Sequence, residues 1–130
     1  MRKVLMVAVL LVALAAAGCG ADGERTLYDA NPRAAAVVLN LRVAAAAFAD
    51  DPAGEAEHLA AACASTPRTR TAIGISAPAL SLLLCGLLHY ELAAETALYR
   101  APDNTLDIQA SILHGNEALD DFVRAVVEGW

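Results

Sequence analysis

Lysine is almost missing from this chain. Lys3 is the only one, and beyond residue 18 seven arginines stand against fifteen aspartates and glutamates, a formal charge of −8 for that part. Affinity for a phosphate backbone rests on clustered positive charge, so nucleic acid is excluded as a partner class. The same deficit excludes electrostatic docking on anionic lipid headgroups. No stretch alternates apolar and polar residues with period two for long enough to make a strand. There is no internal repeat, and no low-complexity tract beyond an alanine bias. A glycine-rich phosphate loop, a Gly-x-Ser-x-Gly elbow and a paired-glycine dinucleotide fingerprint are all absent. The sequence therefore carries no catalytic signature, and neither an enzymatic activity nor a cofactor is expected.

What is present first is a leader. The chain opens MRKVLMVAVLLVALAAAGC, with Arg2 and Lys3 followed by an uncharged apolar run from Val4 to Ala17 and then small residues. That is the layout of a bacterial export signal, and it is too short for a comfortable transmembrane helix. An ordinary secretory signal would be cut after Ala17. The quartet Ala16-Ala17-Gly18-Cys19, however, resembles the lipobox of bacterial lipoproteins. Ala16 departs from the leucine or valine usual there, while Ala17 and Gly18 are the expected small residues. The resemblance covers only the first twenty residues. It implies that residues 1–18 are a lipoprotein signal peptide and that Cys19 becomes the first mature residue, acylated (palmitate among the chains) on sulfur and amine. Burial of acyl chains at about 0.8 kcal/mol per methylene makes multi-chain anchoring effectively permanent. The expected location is then the bacterial cell envelope, facing the periplasm. Gly20 after Cys19 favours the outer over the inner membrane by enterobacterial custom.

From Cys19 onward, 112 residues remain, enough for one domain with a real core. Residues 19–30 read as lipidated N-terminus and tether, since Gly-Ala-Asp-Gly-Glu-Arg is small, polar and aperiodic. Ten such residues reach at most ~35 Å. Residues 31–130 read as a helical domain. Asn31 and Pro32 form a cap-then-proline start, and Asp50-Asp51-Pro52 stops that helix and begins another through about Ser65. Ala34, Val37, Leu41, Ala44 and Phe48 share one face of the first helix, yet Leu39 and Val43 make its opposite face apolar too. Ala56, Leu59 and Cys63 line the second. Residues 65–71 read as a loop. Ser76 caps a third helix, whose Leu80, Leu83, Leu87, Tyr90, Ala94 and Ala97 form a heptad-like seam, with Cys85, Leu88, Leu92 and Tyr99 on a flank. Residues 72–88 are uncharged and brush the lower limit for a membrane span. Gly74, Ser76, Pro78, Ser81 and Gly86 dilute their hydropathy, and the seam continues beyond them, so a core helix is expected. The last segment, about 105–128, keeps Ile108, Ile112, Leu119, Phe122 and Val126 in register across Gly115, as one kinked helix or as two with Asn116 capping the second.

Two cysteines are left for the domain. An even count in an exported chain predicts a disulfide between Cys63 and Cys85, closing a 22-residue loop worth about 3 kcal/mol. Two polar pairs are weighed as metal sites. Glu55-x-x-His58 has the spacing of a di-iron bundle ligand pair, but it occurs once, where such bundles use two. Cys85 and His89 sit one turn apart and could join Cys63 and His58 around zinc, but the step from His58 to Cys63 splays them around their helix. His114-Gly115-Asn116 reads as a helix stop and restart. No metal site is assigned. The expectation is an all-α, up-and-down bundle of about four helices stapled by one disulfide. It would act as a lipid-anchored binding or adaptor module for an envelope protein. The alternatives are a carrier of lipid or another apolar ligand, and a self-protection or exclusion lipoprotein.

Overall fold

The computed structural model describes residues 27–99 and 105–130. Five helices follow one another: α1 (Pro32–Asp50), α2 (Pro52–Ala64), α3 (Arg70–Ile73), α4 (Ala77–Tyr99) and α5 (Thr105–Glu128), and residues 27–30 form a further helical turn. Among the described residues there is no strand. The starts of α1 and α2 are set by short polar side chains. Asn31 Oδ1 accepts the Ala34 N–H at 3.1 Å, and Asp51 Oδ1 accepts the Gly54 N–H at 3.1 Å, each just before a proline that needs no helical donor of its own. Asp51 also donates its backbone N–H to Ala47 at 3.0 Å, so one residue closes α1 and opens α2. At α4, Ser76 Oγ accepts the Ala79 N–H at 3.3 Å. The last segment is one continuous helix through Gly115, which decides between the two arrangements left open above.

α4 and α5 run antiparallel, with Gly86 against Ala118 and Tyr90 against Gly115 and Asn116. α4 lies between α2 and α5, and α1 closes the ring against α2 and α5. The sides that face inward are largely those the spacing predicts. Ala34, Leu41, Ala44 and Phe48 of α1 are buried, with Val38 rather than Val37 completing the stripe. Ala56, Leu59 and Cys63 of α2 are buried, as are Leu83, Leu87, Tyr90 and Ala94 of α4 and Ile108, Ile112, Leu119 and Phe122 of α5. Leu39 and Val43, on the far side of α1, are exposed. α1 and α4 are long and apolar enough to cross a membrane by length and composition alone. In the bundle, the inner side of α4 packs on α2 and α5, while Leu84, Leu88, Leu92 and Tyr99 on its outer side are exposed.

Two expectations need correction. The first is the number of helices: α3 begins at Arg70, inside the expected loop 65–71, and runs past it to Ile73. Its N-cap Thr69 accepts the Ala72 N–H through Oγ1 at 3.3 Å, and Gly74 ends it at φ +78°, where a side chain would be strained. Both Gly74 and Ile75 donate to the Arg70 carbonyl, and Ile73 is buried beneath the bundle. The second is the disulfide. Cys63 and Cys85 are free thiols, Cys63 buried on the inner side of α2 and Cys85 exposed on α4. Gly86, Leu87 and Tyr90 occupy the core side of α4. At 100° per residue, Cys85 is turned away from them and from Cys63.

Gly86 and Gly115 mark where α4 and α5 come closest. A Cβ on Gly86 would meet Ala118 Cβ and the backbone of Gly115 and Leu119 at 3.5–3.7 Å, which is ordinary contact. Gly86→Ala is therefore expected to stabilise the domain by about 0.5–1 kcal/mol through helix propensity. Urea unfolding followed by circular dichroism checks this.

Candidate functional site

Cys19, the expected lipidation site, lies outside the described residues. Of the polar candidates, Glu55 and His58 do meet: Nδ1 of His58 lies 3.0 Å from Glu55 Oε2, one turn apart on the outside of α2. Cys85 and His89 sit one turn apart on the same side of α4, while Cys63 is in the core and His58 on the outside of α2, so the four residues weighed for zinc do not converge. Among the described residues, no group of three or more His, Cys, Asp or Glu side chains is placed to hold a metal ion.

What the sequence did not reveal is a contact between two histidines. His89 of α4 and His114 of α5 stand with ring centroids 5.3 Å apart, tilted by 39°. They are brought together by the antiparallel register that also puts Gly115 against Tyr90 and lets the Tyr90 hydroxyl donate to Asn116 Oδ1 at 2.6 Å. The available signal was the pair of glycines inside two long helices, because a close helix crossing needs small residues on both sides. His114 also faces Glu117 at 3.7 Å.

Beside this contact lies the outer side of α4. Leu84, Leu88, Leu92 and Tyr99 follow one another at helical spacing and are exposed, Leu88 to 64% and Tyr99 to 81%. α2 and α5 cover the two flanks of α4, and the strip between them stays open. Leu88, Leu92 and Tyr99 belong to the flank foreseen from spacing with Cys85, which lies at its edge and is exposed, and Leu84 extends it. Leu113 of α5, next to His114, is exposed too. Scattered single leucines are normal on a surface, but four large apolar residues in one row are a candidate docking face. Glu95 is the acid exposed on the same row.

Cys63 is shaped by its surroundings rather than by reactivity. Burial pushes its thiol up to about 12 from an ordinary 9.0, the Glu91 carboxylate adds to this, and the Arg68 guanidinium opposes it. Arg68 bridges the two, pairing with Glu91 and donating to the Cys63 carbonyl at 3.2 Å. Because the thiolate is the reactive form, a thiol reagent at neutral pH is expected to modify Cys85 quickly and Cys63 only on unfolding. Counting adducts by mass spectrometry with and without urea checks this. The same burial sets an alkaline limit. Below pH 9 both folded and unfolded chains keep the thiol protonated, and above it the unfolded chain loses protons that the folded one retains until about pH 12. Tyr90, raised by burial as well, acts in the same direction. Stability is thus expected to hold up to about pH 9 and to fall above it, read as the urea midpoint across pH, with Cys63→Ala removing the earlier part of the fall.

No family model matches this sequence, and no match is found among curated proteins or solved structures.

Proposed function

We propose that this chain is a lipid-anchored protein of the bacterial envelope whose helical domain binds a protein partner. The observation that carries the reading is the open row Leu84–Leu88–Leu92–Tyr99 on α4, which spans most of the length of that apolar helix and is left exposed by the other described helices. The leader ending in Ala16-Ala17-Gly18-Cys19 supplies the anchor, and an anchored module with a bare apolar row is built to meet something in the same compartment. A carrier of apolar ligands receives less support. Two clefts among the described residues lie at the α3 end, one of about 160 Å³ behind Asn31, Ala79 and Ala125, the other an open depression of about 460 Å³ at Arg70–Ile75. Neither lies between the alanine-rich helix faces, both are open to solvent, and the narrower one falls short of the roughly 300 Å³ at which ligand pockets begin.

The test is cross-linking of a C-terminally tagged protein in its native host, followed by mass spectrometry. One dominant envelope protein at near-equal amount supports the adaptor reading. A partner derived from an incoming phage or toxin would replace it with the self-protection reading. Self-cross-links alone, with co-purified lipid, would replace it with the carrier. The mass on Cys19 in the same sample tests the anchor directly.

A further inference from the structure

The structure says more about how an anchored domain would stand. The turn at 27–30 enters the bundle where α3, the start of α4 and the end of α5 meet. Nδ2 of Asn31 donates to the carbonyls of Ile73 and Gly74 at 2.9 and 3.0 Å, and Ala30 and Asn31 share a cleft with Ser76, Ala125 and Trp130. Leu27 is buried there, which pins the incoming chain. Seven residues, 20–26, separate Cys19 from Leu27, a reach of at most ~28 Å over eight steps. At about 1.5 Å per residue, the 23 residues of α4 make a rod longer than that reach. The end that receives the tether is thus the end held near the lipid.

That end carries two exposed aromatic side chains with polar tips. Tyr28 is 63% exposed and Trp130, the single tryptophan of the chain, is 50% exposed, its indole N–H donating to Glu128 Oε2 at 2.8 Å. Such side chains settle at the headgroup level of a bilayer, where the ring is dehydrated and the tip stays wet. Charge at this end is balanced, with Arg33 and Arg70 exposed beside Asp29 and Glu128. The opposite end, where α1 turns into α2, α4 ends and α5 begins, exposes Tyr99 and Leu106 but also Asp50, Asp51 and Asp107, all of one sign, and it is the end out of the tether's reach. Laid flat on its α4 side, the bundle would instead press Glu95 and Glu117 towards the headgroups.

We infer that the tether end of the bundle, with Tyr28 and Trp130, is a membrane-resting face that seats on the headgroup layer of the bilayer holding the anchor. This rests on the proposed lipid on Cys19. The domain then stands on end, its acidic end outward and the α4 row facing sideways.

The experiment uses the lipidated protein, purified from its host and reconstituted in phosphatidylcholine–phosphatidylethanolamine vesicles. Trp130 is read as the sole tryptophan, and a second sample carries Leu88→Trp with Trp130→Phe. Lipids brominated near the headgroup are expected to quench most of the Trp130 emission and shift it to shorter wavelength. The Leu88→Trp variant is expected to remain unquenched and open to aqueous iodide. Quenching of the Leu88→Trp variant but not of Trp130 would mean that the bundle lies on α4, and would overturn the inference. Trp130 unquenched on a protein whose Cys19 mass shows acylation would overturn it while leaving the anchor intact. An unmodified Cys19 would remove both together.

Discussion

Truncating Tyr90 to alanine is expected to lower the unfolding free energy by about 3–5 kcal/mol, a large share of the roughly 5–15 kcal/mol available to a domain. Tyr90 is fully buried on α4 and lies against α5 at the one place where α5 has no side chain, Gly115. A Cβ built on Gly115 would come within 2.5 Å of the ring, so the glycine is the seat of the tyrosine. Removing the ring leaves a cavity between rigid helix backbones that have little room to close over it. Two milder variants separate the contributions. Tyr90→Phe keeps the ring and loses the bond to Asn116, which is partly solvated and can find water, at about 1 kcal/mol. Gly115→Ala forces the ring aside at about 1–3 kcal/mol of overpacking, against up to about 1 kcal/mol gained in helix propensity. Urea midpoints for the three variants, in reducing buffer, give the order. An alanine variant no worse than the phenylalanine one would mean that the ring does not fill this seat.

Much of the fold could be read from spacing, because helix caps and faces are local. Asn31-Pro32 and Asp51-Pro52 announce two helix starts by chemistry within four residues, and the structure places both there. The inward stripes follow from the 3.6-residue period, which needs no knowledge of neighbours. Three things depended on partners far along the chain. α3 is a single turn, too short to show a period, and only Thr69 and Gly74 mark it. The continuity of α5 through Gly115 depends on Tyr90, 25 positions earlier, since the glycine serves a ring and not a break. The pairing of Cys63 with Cys85 was inferred from count and compartment. Which way each thiol points follows from rotation around two packed helices, and that rotation separates them. The candidate docking row shows the same division: Leu88, Leu92 and Tyr99 were legible as a flank, Leu84 was not, and only the arrangement of α2 and α5 leaves the flank uncovered.

The second large effect concerns that row. Leu88→Glu together with Leu92→Glu is expected to reduce cross-linking to the proposed envelope partner at least about tenfold, the loss of some 1.4 kcal/mol or more of binding. The pair is chosen because both side chains already stand in water, Leu92 to 45%. Replacing them should change folding stability by no more than about 0.5 kcal/mol. Charge is the sharper probe than truncation here. The row already borders Glu95, and two further carboxylates would have to be desolvated in any apolar groove that receives it. Leu39→Glu on the exposed far side of α1 is the matched control, since it adds the same charge to another open apolar position. If the control alone abolishes cross-linking, the docking face is α1. If the α4 pair instead unfolds the domain, the row is held against a neighbour that the free bundle does not show. If binding fails with the α4 pair while its urea midpoint matches that of the parent chain, the row is a recognition surface. In that case the apolarity of α4 serves two ends: its inner positions hold the bundle together, and its outer ones hold a partner.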